Sequence, residues 1–256
     1  MKTGIRELVV PDVLRVGDFL FRWRSYLPLL LVPVVVVGIA QARHLFSSHA
    51  ADLLWESACL SLALAGLALR AWTVGVAARG TSGRNTREQK ATSLNTTGPY
   101  SLVRHPLYVA NGMIVVGLTL FMHGWMAPVA VTVLTIAYYA CIAWREEQFL
   151  RERFGSQFVE WAARVPAAIP LHPGRYVRPV RSFQWKVAVR REFYAATLIL
   201  VAPFFVDMAE DYQETGRLVF DPVWVTTGTL GVLLFVVLRY LKKHTSVLTV
   251  APDTSL

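Results

Sequence analysis

Four ionisable side chains have the types and placement of a chemical unit. Arg104 and His105 lie in the run Gly98-Pro99-Tyr100-Ser101-Leu102-Val103-Arg104-His105-Pro106-Leu107-Tyr108, and Glu146 and Glu147 lie in Trp144-Arg145-Glu146-Glu147-Gln148-Phe149-Leu150-Arg151. A guanidinium and an imidazole supply N–H donors to an anion, while a pair of carboxylates accepts from hydroxyls or an amine. Pro106 suits the first position of a helix, because its missing N–H would be unsatisfied there anyway. Arg104 and His105 therefore meet a helix start, where free backbone N–H groups and the positive end of the dipole favour an anion. Taken singly, Arg104 or Tyr108 reads as a membrane-interface anchor. The glutamates alone read equally well as a solvated surface pair, such as Glu146 with Arg151.

The elements that must position these groups are membrane helices. The 256 residues are 54% hydrophobic and 17% charged, with 8 Trp, 9 Tyr and 13 Phe, a composition too apolar for a disordered segment or an ordinary soluble domain. Apolar runs predict an all-α polytopic bundle of six spans near Tyr26–Ala42, Leu53–Ala77, Pro106–Met122, Met126–Trp144, Phe193–Met208 and Val223–Leu241. The third and fifth of these are short, and residues 1–256 are expected to form one integral membrane domain. Gly124 and Pro128 turn the third span back into the fourth, and the fourth runs on past Glu146 and Glu147 as one helix leaving the membrane. This hairpin returns its two ends to the same side, so Arg104 and His105 should lie near Glu146 and Glu147. The two cysteines, Cys59 and Cys141, sit inside apolar runs and suggest neither a disulfide framework nor a metal site. The N-terminus does not read as a removable signal peptide.

Basic residues crowd alternate loops. They include Arg15, Arg22 and Arg24; Arg79, Arg84, Arg87, Lys90 and Arg104; the long stretch from Arg145 to Arg191; and Arg239, Lys242 and Lys243. The positive-inside rule places all of these, and both termini, in the cytoplasm, and leaves the acidic stretch from Asp207 to Asp221 outside. The net charge of +9 is then accounted for by topology and anionic phospholipid headgroups, and nucleic acid is not expected as a partner. Arg175 to Arg191, with Tyr176, Phe183 and Trp185, reads as an interfacial basic and aromatic segment.

Several sub-motifs follow one another from Leu94 to Pro170: Gly-Pro-Tyr, Val-Arg-His-Pro-Leu-Tyr, a hairpin, Glu-Glu, Phe154-Gly155 through Trp161, and Arg164-Val165-Pro166 before Ile169-Pro170. In this order they resemble the isoprenylcysteine carboxyl methyltransferase and phospholipid methyltransferase family of integral membrane enzymes. The resemblance covers residues 94–170 as a catalytic core, and residues 171–256 add the interfacial segment and two further spans. It implies S-adenosylmethionine as cofactor. It also implies a pocket at the cytoplasmic face built from Leu94, Thr96, Gly98, Tyr100, Arg104, His105, Tyr108, Glu146 and Glu147. Trp161 stands where the family often has Tyr, and Thr92-Ser93 precede Leu94 where eukaryotic prenylcysteine enzymes tend to have His-Lys. Both departures fall at positions that could shape the choice of acceptor. The stretches Gly83-Arg84-Asn85-Thr86 and Ser93-Leu94-Asn95-Thr96-Thr97 are similar to those of bacterial members acting on lipid A phosphate, which implies a bacterial inner-membrane protein modifying a membrane lipid.

Methyl transfer from a sulfonium is an in-line displacement in which positioning and exclusion of water supply most of the rate. A phosphate or carboxylate acceptor is already ionised at neutral pH, whereas an amine must first lose a proton. The expected roles are Arg104 on the acceptor oxygens or the cofactor carboxylate, His105 as a donor to the cofactor, and Glu146 and Glu147 as acceptors. Arg70, within the second span, is either a phosphate-binding arginine reached from the inner leaflet or a snorkelling side chain. Arg104, Glu147 and Arg70 are the residues expected to carry the reaction. Isoprenylcysteine and phospholipid amines are the alternative acceptors. A membrane reductase using a nicotinamide dinucleotide is a competing class, and a transporter is a third, although its polar groups would be expected at the midplane. His44, His49 and His123 are expected on the outer side, away from the site.

Overall fold

The computed structural model describes residue 19, residue 23 and residues 32–40, 48–78 and 91–249. Arg79 to Lys90, with the Gly83-Arg84-Asn85-Thr86 stretch, and His44 lie outside the described residues. Among those described, the regular structure is entirely helical, with seven α-helices: α1 Val32–Ala40, α2 His49–Val76, α3 Pro106–Leu120, α4 Met126–Phe154, α5 Ser156–Arg164, α6 Trp185–Thr215 and α7 Pro222–His244. Four of them, α2, α4, α6 and α7, are long and apolar enough to cross a membrane, while α3 is a shorter apolar helix. The expected first span, Tyr26–Ala42, is described only over Val32–Ala40.

Local sequence sets most helix ends. Ser48 caps α2 by accepting from the Ala51 amide at 3.3 Å, and Asp221 caps α7 by accepting from the Val223 amide at 2.7 Å, with Pro222 in the first turn. The largest departure from the sequence expectation is α6, which begins eight residues before Phe193 and ends seven after Met208. Its extra turns carry Trp185 to Glu192 at one end and Glu210 to Thr215 at the other, so much of the expected interfacial segment and acidic loop is helix. Charged residues at both ends hid those turns, because hydropathy detects apolar runs and not backbone hydrogen bonding.

The helices alternate in direction. One end of the bundle gathers the C-terminus of α2, the 3-10 turn Gly98–Ser101, and the starts of α3 and α6: the Gln184 amide donates to Gly75 O at 2.8 Å. The far end gathers the starts of α2 and α7 with the α3–α4 turn. There Trp55 Nε1 donates to Leu120 O at 2.9 Å and Trp224 Nε1 donates to Glu56 Oε2 at 3.0 Å. Helices α2 and α3 pack closely because Gly117 carries no side chain: a Cβ there would lie 2.7 Å from Cys59 O and 2.8 Å from Ala63 N. Such close backbone approach at small residues is how membrane helices associate when lipid removes the hydrophobic drive.

Candidate active site

The α3–α4 hairpin brings the two charged motifs into contact. His105 Nε2 lies 2.8 Å from Glu147 Oε1, and Arg104 Nε lies 3.1 Å from the same oxygen. The Tyr108 hydroxyl donates to Glu146 Oε2 at 2.7 Å, and His105 Nδ1 is 3.8 Å from that oxygen. The His105 ring stacks on Tyr108 at 5.4 Å, and Tyr108 stacks on Tyr139 at 5.0 Å. The helical spacing of His105, Tyr108 and Asn111 on one side, and of Tyr139, Glu146 and Glu147 on the other, lets a single hairpin present all of these groups together.

Secondary elements hold this cluster from the outside. Arg104 and His105 donate their amides to Pro166 O at 2.8 Å and Ala167 O at 3.1 Å, so the strip after α5 runs along them. Arg104 Nη1 also donates to Ala162 O at 3.1 Å. The α5 helix buries Phe158 and Trp161, with Val165 just beyond its end, against Leu94, Tyr100, Leu150 and Phe154, and Trp161 Nε1 donates to Tyr100 O at 3.2 Å. Gly98, with φ of 62°, starts the 3-10 turn. That left-handed conformation favours glycine. Its amide donates to Val177 O at 2.8 Å, and the Val177 amide returns to Ser101 Oγ at 3.0 Å. Burial, with the Glu146 charge adding to it, pushes the Tyr100 phenol above its ordinary range, so it remains a neutral donor.

The sequence-predicted residues thus divide by place. Arg104, His105, Tyr108, Glu146 and Glu147 form one contact cluster. Leu94 and Tyr100 pack against α5 behind it, and Gly98 is tied to Val177. Thr96 lies instead on a neighbouring cavity of about 480 Å³, together with Thr97, Ser101, Trp161, Arg164 and Arg175.

Arg70, on α2, connects to the cluster through side chains of α3 and α4. Its Nε and Nη2 bind the Glu192 carboxylate at 2.7 and 3.2 Å, and its Nη1 donates to Asn111 Oδ1. Asn111 in turn hydrogen-bonds Tyr139, which stacks on Tyr108. A polar and aromatic ladder therefore runs from Glu147 through His105, Tyr108, Tyr139 and Asn111 to Arg70 and Glu192. Sequence reading missed Asn111, Tyr139 and Glu192. The available signals were a carboxylate, Glu192, directly before the apolar run Phe193–Met208, and an amide three residues after Tyr108 on the same helix face.

His123 sits at the far end, as expected, but in a cluster of its own. Its Nδ1 is 2.7 Å from Glu210 Oε2, and its Nε2 is 3.6 Å from Asp52 and 3.7 Å from Glu56. Burial alone would lower its pKa; the bond to Glu210 and the charges of Glu210, Glu56 and Asp52 outweigh that and raise it.

The donor set suits S-adenosylmethionine. Arg104 Nε is buried 3.1 Å from Glu147 Oε1 and Nη1 donates to Ala162 O, so the remaining Nη hydrogens of the guanidinium are the donors that a ligand carboxylate would use. Two carboxylates are available to hydroxyl and amino groups, and stacked aromatic faces suit a cationic sulfur centre. A bundle of apolar helices with this site at one end fits the class of membrane methyltransferases. Comparison with known proteins agrees: residues 57–157 match the phospholipid methyltransferase family model. The chain is 30% identical over 191 residues to the nickel-cobalt-cadmium resistance protein NccN of Alcaligenes xylosoxydans xylosoxydans, covering 72% of this chain and 84% of that one. It is 38% identical over 163 residues to the cobalt-zinc-cadmium resistance protein CzcN of Cupriavidus metallidurans, covering 60% and 71%. It is 32% identical over 84 residues to protein-S-isoprenylcysteine O-methyltransferase B of Arabidopsis thaliana, covering 33% and 43%. No solved structure matches the chain. The chain belongs to the phospholipid and isoprenylcysteine methyltransferase family.

Proposed function

We propose that the protein transfers a methyl group from S-adenosylmethionine to an anionic oxygen on a membrane lipid, a phosphate such as that of lipid A or a carboxylate. The observation that carries this reading is the ladder from Glu147 and Arg104 to Arg70, which in this reading would join a water-facing cofactor site to a lipid that cannot leave the bilayer. When bound, the cofactor supplies an electrophilic methyl on a sulfonium. Arg104 and His105 would hold its carboxylate, and Glu146 and Glu147 would accept from its hydroxyl and amino groups. Tyr108 and Tyr139, stacked on each other at 5.0 Å, would exclude water between the two guanidiniums. An ionised oxygen needs no general base, so the chain's own work is positioning and desolvation. In this reading six spans cross a bacterial inner membrane, the site faces the cytoplasm, and the strap 172–184, with Val180 88% exposed between Arg178 and Arg181, lies on anionic headgroups.

The relatives' names give further support. Esterifying a phosphate or carboxylate removes a negative charge that would otherwise collect divalent cations at the membrane surface, and methylation of an amine does not. Such a role would suit proteins named for nickel, cobalt, zinc and cadmium resistance. The second reading, an amine acceptor, is favoured by one observation: Arg70 and Arg104 each already face a glutamate, so the described site is not strongly basic. Mass spectrometry of total lipids from cells with and without the protein decides between them. A methyl increment on a phosphate- or carboxylate-bearing fragment is expected; an increment on an amine fragment, or none, sinks the anionic-acceptor reading.

A further inference from the structure

Arg70 has a guanidinium with two usable edges, and the structure shows which one is taken. Glu192 binds the side formed by Nε and Nη2, at 2.7 and 3.2 Å, and Asn111 accepts from Nη1. These three bonds use three of the five N–H groups a guanidinium carries, and the Arg70 side chain remains 25% exposed while that of Glu192 is 6% exposed. The pair is neutral as a unit and lies within the helices, where little water screens an added charge. Glu192 comes from α6, outside the residues 57–157 that match the family, so an element beyond the catalytic core reaches into the acceptor end of the ladder.

We propose that Glu192 sets the headgroup charge accepted at the membrane end of the site: with Arg70 already holding one carboxylate, the subsite takes a singly charged oxyanion, a phosphodiester or carboxylate, and rejects a doubly charged phosphomonoester. The remaining N–H groups of Arg70 can reach one oxyanion. A second negative charge would stand beside the Glu192 carboxylate, whose paired cation among the described residues is Arg70 itself. A phosphomonoester, the phosphate of lipid A included, therefore enters only in its singly protonated form. The inference rests on the lipid methyltransferase reading and names the acceptor's charge within it.

The test is lipid binding to the full-length protein in maltoside micelles at pH 8, read by native mass spectrometry. The probes are dioleoylphosphatidylglycerol, which carries one charge, and dioleoylphosphatidic acid, a phosphomonoester that carries a second once its second proton has left. The wild type should prefer phosphatidylglycerol by about tenfold, which corresponds to ~1.4 kcal/mol. Glu192→Gln should reverse the order, because it frees the positive charge of Arg70, and Glu192→Asp should keep the wild-type order. Arg70→Lys should weaken both lipids. A purely structural role for Glu192 would lower stability in every variant without inverting a preference. A wild type without preference, or a Glu192→Gln variant that keeps the wild-type order, overturns the proposal. S-adenosylmethionine affinity, measured on the same preparations, reports separately on the methyltransferase reading: loss of the lipid order with cofactor binding intact sinks the subsite alone.

Discussion

Replacing Arg104 by Ala removes two kinds of contact that can be separated. The guanidinium lies 3.1 Å from Glu147 Oε1 through Nε and donates to Ala162 O at 3.1 Å through Nη1. The first belongs to the charge cluster and the second holds α5 in place. A hydrogen bond to a charged group contributes about 1.5–3 kcal/mol, so losing one bond from Arg104 to the cofactor carboxylate should weaken cofactor affinity by roughly 10- to 150-fold. Trp161→Phe is the control. It deletes the 3.2 Å bond to Tyr100 O, a second anchor of α5, and leaves the charges in place; a neutral bond contributes about 0.5–1.5 kcal/mol, so its effect on affinity should be about tenfold or less. Calorimetric titration of S-adenosylmethionine onto each purified variant reads affinity, and thermal unfolding in the same detergent reads fold. Arg104→Ala should lose methyl transfer, and Glu147→Ala should do so as well, because Glu147 positions both Arg104 and His105. Wild-type affinity and turnover in Arg104→Ala, or equal losses in Arg104→Ala and Trp161→Phe, would refute the assignment of the charge cluster to the cofactor.

A cysteine at Ser93, which is exposed beside the site, should be labelled only from the cytoplasm, and one at Leu218, beyond the end of α6, only from outside; labelling of Ser93 from outside would reverse the orientation. At the far end, the raised pKa of His123 means that the folded state holds its proton more tightly than the unfolded chain, in which histidine titrates near about 6.5. That contribution is complete below the unfolded value and disappears as pH rises through the folded one. The unfolding temperature should therefore fall as pH is raised from about 6.5, a range fixed by the unfolded pKa. Glu210→Gln should flatten the slope, since it removes the charge of the 2.7 Å partner while Asp52 and Glu56 stay at 3.6 and 3.7 Å from the ring; an unchanged slope would remove His123 as its source.

What the sequence determined by itself is whatever depends on short-range pattern. Apolar runs mark the four long helices and the shorter α3 in their order, Pro106 marks a helix start, and the hairpin from Pro106 to Glu147 by itself sets Arg104 and His105 against the two glutamates. The family resemblance over residues 94–170 rests on the same kind of signal, fixed residue types at fixed spacing. Tertiary structure alone decided which distant charges meet. Arg70 and Glu192 are separated by 122 positions, and His123 and Glu210 by 87, so no local period connects them. The partner of a membrane-embedded charge is set by which helix packs beside it and at what rotation, and that depends on close contacts such as Gly117 against Cys59 and Ala63. The ends of α6 escaped sequence reading for a related reason: polar turns continue a helix when neighbouring elements satisfy their charges, as Arg70 does for Glu192 and His123 for Glu210, and hydropathy contains no information about neighbours.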